Sequence, residues 1–235
     1  RGIADTRSAE SMGCASSVPV DLSDVDGKFT PEKAVGGAVT DAPTALIVKQ
    51  KFFSWSGDDF KVKDQTGAVR FTVKGKVMTM RDKMVICNEA GEKVAMLQRK
   101  LLSLKSTFQV YTYKPNQEGQ ESTEDDSGTP VYRFAMVERQ LLTMTPEFCW
   151  KLYKGNDDPT TVLLAKVQMS VAGLTKFKMD IKVPGEGGTI LGTCGQSSMI
   201  QLEEMSTYVL EVAKGMDLLG MLCMAVAVDD MKDDK

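Results

Sequence analysis

Between Leu218 and Val228 the chain reads Leu-Leu-Gly-Met-Leu-Cys-Met-Ala-Val-Ala-Val, without one polar side chain. A helix drawn through this run has no hydrophilic face, so it must be enclosed on every side. At 1.5 Å per residue it spans roughly 16 Å, about half the hydrocarbon core of a bilayer, whereas a spanning helix needs about 20 apolar residues. Acidic residues close both ends, Asp217 before the run and Asp229 and Asp230 after it. The stretch 215–231 is therefore expected to be a helix buried inside protein, and the remainder of the chain has to build its surroundings.

Those surroundings read as β-sheet. From Thr44 onward, short apolar runs recur with a period of two and are separated by turn residues. Phe60–Lys63, the turn Asp64-Gln-Thr-Gly67 and Val69–Val73 form one predicted hairpin; Met84–Cys87, the turn Asn88-Glu-Ala-Gly91 and Val94–Leu97 form the next. Asp, Asn and Gly supply the backbone angles that such turns require. Further strands are predicted at Ala45–Lys49, Phe108–Tyr113, Val131–Val137, Phe148–Tyr153, Val162–Val167, Phe177–Val183, Thr189–Cys194 and Thr207–Val212. Pro115–Thr129 is acidic and lacks apolar residues, and is read as an exposed loop insertion at 114–129. The hairpin at 60–73 is weakly echoed by the one at 148–167, and in each half another hairpin follows. This suggests a meander that closes on itself and so hides its edges. With about ten to twelve strands, the barrel is wider than its own side chains fill, and an all-apolar helix is a suitable plug.

The chain contains no histidine, which removes Ser-His-Asp and Cys-His catalysis and histidine-ligated metals. Its five cysteines, at 14, 87, 149, 194 and 223, are widely spaced with no Cys-x-x-Cys pair. That pattern argues for free thiols in a reducing compartment and against zinc or a disulfide framework. No phosphate-cradling glycine loop is present, so an enzyme is the least favoured class, with no catalytic residue, metal or cofactor expected. Trp55, Trp150 and the many methionines read as core. A net charge of −3 gives no bulk attraction for nucleic acid. The charge is nevertheless uneven: residues 43–113 carry 13 basic against 6 acidic side chains, and residues 184–235 carry 3 against 9.

Residues 1–42 show no sustained period and read as a disordered tail before a domain at 43–235. Within the tail, Met12-Gly13-Cys14-Ala15-Ser16-Ser17 fits an acylation signal. If Met12 is the initiator, Gly13 becomes a myristoylation site with Cys14 placed for palmitoylation, and two acyl chains anchor a protein stably where one does not. The expectation is then an intracellular monomer, peripheral on the cytoplasmic face of a membrane. The alternative is that Met12 is internal and the motif inert.

The order Phe60-x-Val-x-Asp64-x-x-Gly67, Arg99-Lys-Leu-Leu-Ser-Leu104-x-x-x-Phe108-x-Val110-Tyr111 and Tyr208-x-Leu-x-Val-x-x-Gly215-Met-Asp217 before an apolar helix resembles the LURP-one-related family, from about residue 44 to 231. That family is grouped by fold with tubby carboxy-terminal domains and phospholipid scramblases. The resemblance implies a closed antiparallel barrel of about twelve strands threaded by a hydrophobic carboxy-terminal helix. It also implies a binding module for phosphoinositide or other anionic lipid headgroups, held by basic residues on the barrel surface. Lys61 with Lys63, and Lys74 with Lys76, are spaced to place each pair on one face of a strand, where ammonium groups can bond phosphate oxygens. Two other readings are a scramblase-like lipid translocator and a soluble structural or stress-response interaction protein. The chain lacks the calcium loop and cysteine cluster of scramblases, which argues against the first.

Overall fold

The computed structural model describes residues 34–35, 39–49, 59–76, 83–154, 157–168, 178–185, 188–196 and 207–231. Gly13, Cys14 and Trp55 lie outside these residues, and so does the side chain of Lys76. Among the described residues, thirteen strands and one helix follow one another as β1 (Thr44–Lys49), β2 (Phe60–Asp64), β3 (Val69–Lys76), β4 (Lys83–Asn88), β5 (Lys93–Arg99), β6 (Thr107–Thr112), β7 (Ser122–Glu124), β8 (Pro130–Arg139), β9 (Glu147–Leu152), β10 (Thr160–Gln168), β11 (Lys178–Lys182), β12 (Ile190–Gln196), β13 (Thr207–Val212) and α1 (Leu218–Met231). Neighbours in sequence pair antiparallel, except β6 and β7. Two further pairings close the meander into a ring of twelve strands, β1 with β13 and β6 with β8. In the first, Thr44 faces Val212 and Lys49 faces Thr207; in the second, Thr107 faces Glu138.

Three hairpins turn on one chemistry. Asp64, Asn88 and Asp125 each accept a backbone bond from a glycine three residues on, and Gly67, Gly91 and Gly128 all have positive φ. Side-chain oxygens then cap the turn: Asp64 Oδ1 accepts from the Thr66 and Ala68 amides, and Asp125 Oδ1 from those of Ser127 and Thr129. The third turn lies in the acidic insertion, which is more than a solvated loop. It forms β7, paired with Pro130–Tyr132 outside the ring, and its turn is fastened to the barrel. Lys93 Nζ and Tyr113 Oη donate to Asp125 Oδ2 at 2.7 and 3.1 Å, and Lys83 pairs with Asp126. The Asp125 side chain is only 4% exposed. Burial by itself would raise its carboxyl, but the bonds from Lys93, Thr129 and Ser127 hold it well below the usual range. An Asp125→Ala change is expected to lower stability by about 2 kcal/mol, through loss of a buried charged acceptor that bonds Lys93, Tyr113 and the turn amides. Urea unfolding would measure it, and an unchanged midpoint would contradict the fastening.

Inside the ring, alternation directs Leu46, Val62, Val73, Ile86, Leu97 and Phe108 inward, each fully buried. Every residue of α1 is buried except Leu218 and Asp230, and the helix joins the strands in one apolar cluster. The approach is close. At Gly192 of β12 a Cβ would lie 2.8 Å from Met221 Cε and 3.0 Å from the Glu211 carbonyl, which explains a glycine in mid-strand.

The segment Gly215–Asp217 starts the helix rather than belonging to it. Gly215 adopts φ 79°, and its amide donates to the Thr40 carbonyl at 2.8 Å. Asp217 is the amino-terminal cap, Oδ1 accepting from the Gly220 amide at 2.9 Å. Its Oδ2 accepts from the Val35 amide at 2.6 Å, and Ala34 and Val35 are buried. The tail expected at 1–42 is thus part of the domain at residues 34–35 and at Thr40, because the buried helix start needs partners that the strands do not provide.

Candidate functional site

The barrel has two ends. The helix enters at the end formed by Gly215–Asp217, the start of β1 and the finish of β13; it leaves where Arg99, closing β5, donates to Asp230 at 3.2 Å. β2 and β3 run between these ends with Val62 and Val73 inward, so Lys61, Lys63, Thr72 and Lys74 face outward. Lys61 stands opposite Thr72, with Lys74 two residues further along the same face. Lys63 lies opposite Val69 across a register shift. Arg70, beside them, is engaged by Glu89 at 2.7 Å and Asp64 at 3.9 Å. Among the described residues, no carboxylate bonds Lys61, Lys63 or Lys74. Three of the four lysines expected from spacing therefore meet on one outer face. The backbone places Lys76 opposite Lys83.

Around the wall toward the helix-exit end, three other lysines are neutralised instead. Lys105 and Lys151 both donate to Glu138 Oε1, at 3.1 and 3.0 Å, and Lys166 pairs with Glu147 at 3.2 Å. These bonds stand at the bases of two neighbouring loops, 100–106 between β5 and β6 and 140–146 between β8 and β9. The Arg139 amide donates to the Ser106 carbonyl at 3.0 Å, joining the two loops directly.

The model of the family described as LURP-one-related matches residues 44–229, most of the chain. This chain belongs to the LURP-one-related family. Protein LURP-one-related 15 of Arabidopsis thaliana is 29% identical over 87 residues, covering 34% of this chain and 40% of that relative. A crystal structure of a protein from Arabidopsis thaliana is similar with a TM-score of 0.52 at 16% identity, covering 86% of this chain and 96% of that chain. It supports the fold alone. The twelve-stranded ring with its enclosed helix is the architecture that the sequence resemblance implied.

Two electrostatic features of this LURP-one-related barrel are set by burial. At Glu138 desolvation would raise the carboxyl, but the bonds from Lys151 and Lys105 outweigh it and hold the group below its ordinary value, ionised and locking the loop bases. At Cys149 and Cys223 desolvation dominates and pushes the thiols up, so both stay protonated. The four described cysteines are buried, and none forms a disulfide.

Sequence reasoning missed the two loops. Their side chains matter because Leu101, Leu102 and Leu104 on one, and Leu141, Leu142 and Met144 on the other, are exposed. A signal was available: Leu101-Leu-Ser-Leu104 breaks the period-two alternation around it, and no strand face can bury three such leucines.

Proposed function

We propose that this LURP-one-related chain is a non-enzymatic peripheral membrane module that binds anionic lipid headgroups, phosphoinositides among them, through Lys61, Lys63 and Lys74. Acyl chains on Gly13 and Cys14 would tether it to the cytoplasmic face. The carrying observation is the clustering of three exposed or half-exposed lysines on one outer face, with no carboxylate bonded to them among the described residues. Lys83, Lys93, Lys105, Lys151 and Lys166 are instead bonded by Asp126, Asp125, Glu138 and Glu147. Ammonium groups with no bonded carboxylate among the described residues can make charge-assisted bonds to phosphate oxygens. Protonated buried thiols and the lack of histidine favour binding over catalysis. The interior filled by α1 favours headgroup binding over lipid passage.

Sedimentation with phosphatidylserine- or phosphoinositide-containing vesicles tests the lysines. Each cation near an anionic surface contributes about 1 kcal/mol, so replacing all three by Ala should weaken binding roughly hundredfold. Undiminished binding would overturn the assignment. Intact-mass measurement after expression from Met12 with a myristoyltransferase tests the tether; an unmodified mass would favour a soluble interaction protein.

A further inference from the structure

Seven large apolar side chains are exposed among the described residues, and six of them sit on the two joined loops at the helix-exit end. Leu102, Leu104, Leu142 and Met144 have relative exposures of 103, 101, 105 and 105%, so nothing in the described protein packs against them. Their loop bases are fixed. Lys100 N donates to the Thr107 carbonyl at 2.9 Å, Gln140 N to Glu147 at 2.8 Å, and Glu138 ties the two loops through Lys105 and Lys151. Leu142 adopts φ 64°, a conformation in which glycine or asparagine is usual and a leucine is disfavoured. No contact within the described protein offsets that, and the outlier falls at one of the two most exposed apolar positions of its loop.

We propose that these loops are a membrane-insertion tip: the leucines and Met144 enter the interfacial zone of an anionic bilayer, while the flanking cations meet its headgroups. Charge complementarity selects this occupant. Arg99, Lys100, Lys105 and Arg139 flank the tips, against Glu138, Glu147 and Asp230; Arg99 is held by Asp230 and Lys105 by Glu138, and the Lys100 ammonium has no polar partner among the described residues. The exposed apolar side chains stand on two loops whose bases are hydrogen-bonded, and a deformable lipid surface accommodates them without a matching groove. Orientation agrees as well. β2 begins and β3 ends at this same end, so Lys61 and Lys74 lie on the wall rising from the tip. The inference rests on the membrane reading above but on different residues.

The test uses the full 235-residue chain with phosphatidylcholine vesicles, with and without phosphatidylserine. Leu102→Glu combined with Leu142→Glu should reduce partitioning by roughly tenfold per side chain and leave the thermal midpoint unchanged, since both positions are exposed. In a separate Leu142→Trp variant, the introduced tryptophan should shift its emission to the blue on vesicle binding. If the glutamate pair binds as wild type and the tryptophan emission stays put, the tip is overturned while the lysine reading stands. If the glutamate pair abolishes binding and the triple lysine variant does not, the tip stands and the lysine assignment fails. A concentration-dependent oligomer dissolved by the glutamate pair, with no vesicle binding by the wild type, would make the surface a self-contact and overturn the proposal.

Discussion

Leu222→Asp is expected to unfold the whole domain. Leu222 is fully buried, at the middle of a helix whose every side is enclosed. The substitution removes roughly 2–5 kcal/mol of packing and burial. It also places a carboxyl among apolar side chains, where an unpaired polar group costs several kcal/mol more and an ionised one further still. Domains of this kind have only about 5–15 kcal/mol of net stability, so the sum approaches or exceeds what is available. Met221→Asp should behave alike, because its Cε lies against the backbone of β12 at Gly192. Near-ultraviolet circular dichroism and size exclusion would show loss of tertiary structure and aggregation. A folded, soluble variant would mean that α1 is not the core of the barrel. Leu222→Met, which conserves volume, should cost less than about 1.5 kcal/mol and serves as the control.

The second large effect is a gain of stability on mild acidification. Asp217 is fully buried at the helix start, and desolvation pushes its carboxyl up to about 6, opposed by the amide bonds from Gly220, Val35 and Leu219. The folded value lies above the ordinary 3.8, so the folded state binds the proton more tightly. This group's contribution is therefore full below the ordinary value and is lost as pH rises through about 6. Between pH 7 and 5 the gain should be on the order of 1–2 kcal/mol. Below that window Asp125 and Glu138, held beneath their ordinary values, act in the opposite direction and lose stability as pH falls further. Asp217→Asn keeps a capping oxygen and removes the titration, so its urea midpoint should be flat over the same window. Equal slopes in wild type and variant would assign the effect to another group.

Much of the barrel was legible because strand alternation and turn chemistry are local. Phe60–Val73 and Met84–Leu97 carry their registers in the Asp-x-x-Gly and Asn-x-x-Gly turns, and the structure pairs them that way. The same signal at Asp125-Asp-Ser-Gly128 is obscured by its polar flanks. β7 has no apolar face; it pairs with β8, and the turn after it is held by Lys83, Lys93 and Tyr113, which lie outside the insertion. Val35 illustrates the same limit from the other side: a single apolar residue in a polar tail carries no period, yet Asp217, 182 positions away, holds its amide.

The lysine face was half legible. Spacing sets which side of a strand Lys61, Lys63 and Lys74 occupy, but not whether carboxylates answer them. The same spacing rule applies to Lys83 and Lys93, and those two are neutralised by the insertion. The leucines at 101–104 and 141–144 were not legible as a surface, because their two loops meet only through the β6–β8 pairing.

By itself, the sequence determined that Leu218–Val228 must be enclosed and that strands would enclose it, since both follow from periodicities within a few residues. Tertiary structure decided which polar groups are satisfied and which side chains remain outside. Those outcomes depend on closure of the ring, which brings Asp217 to Val35, Asp125 to Lys93 and one leucine loop to the other across long separations. No local pattern encodes such distances.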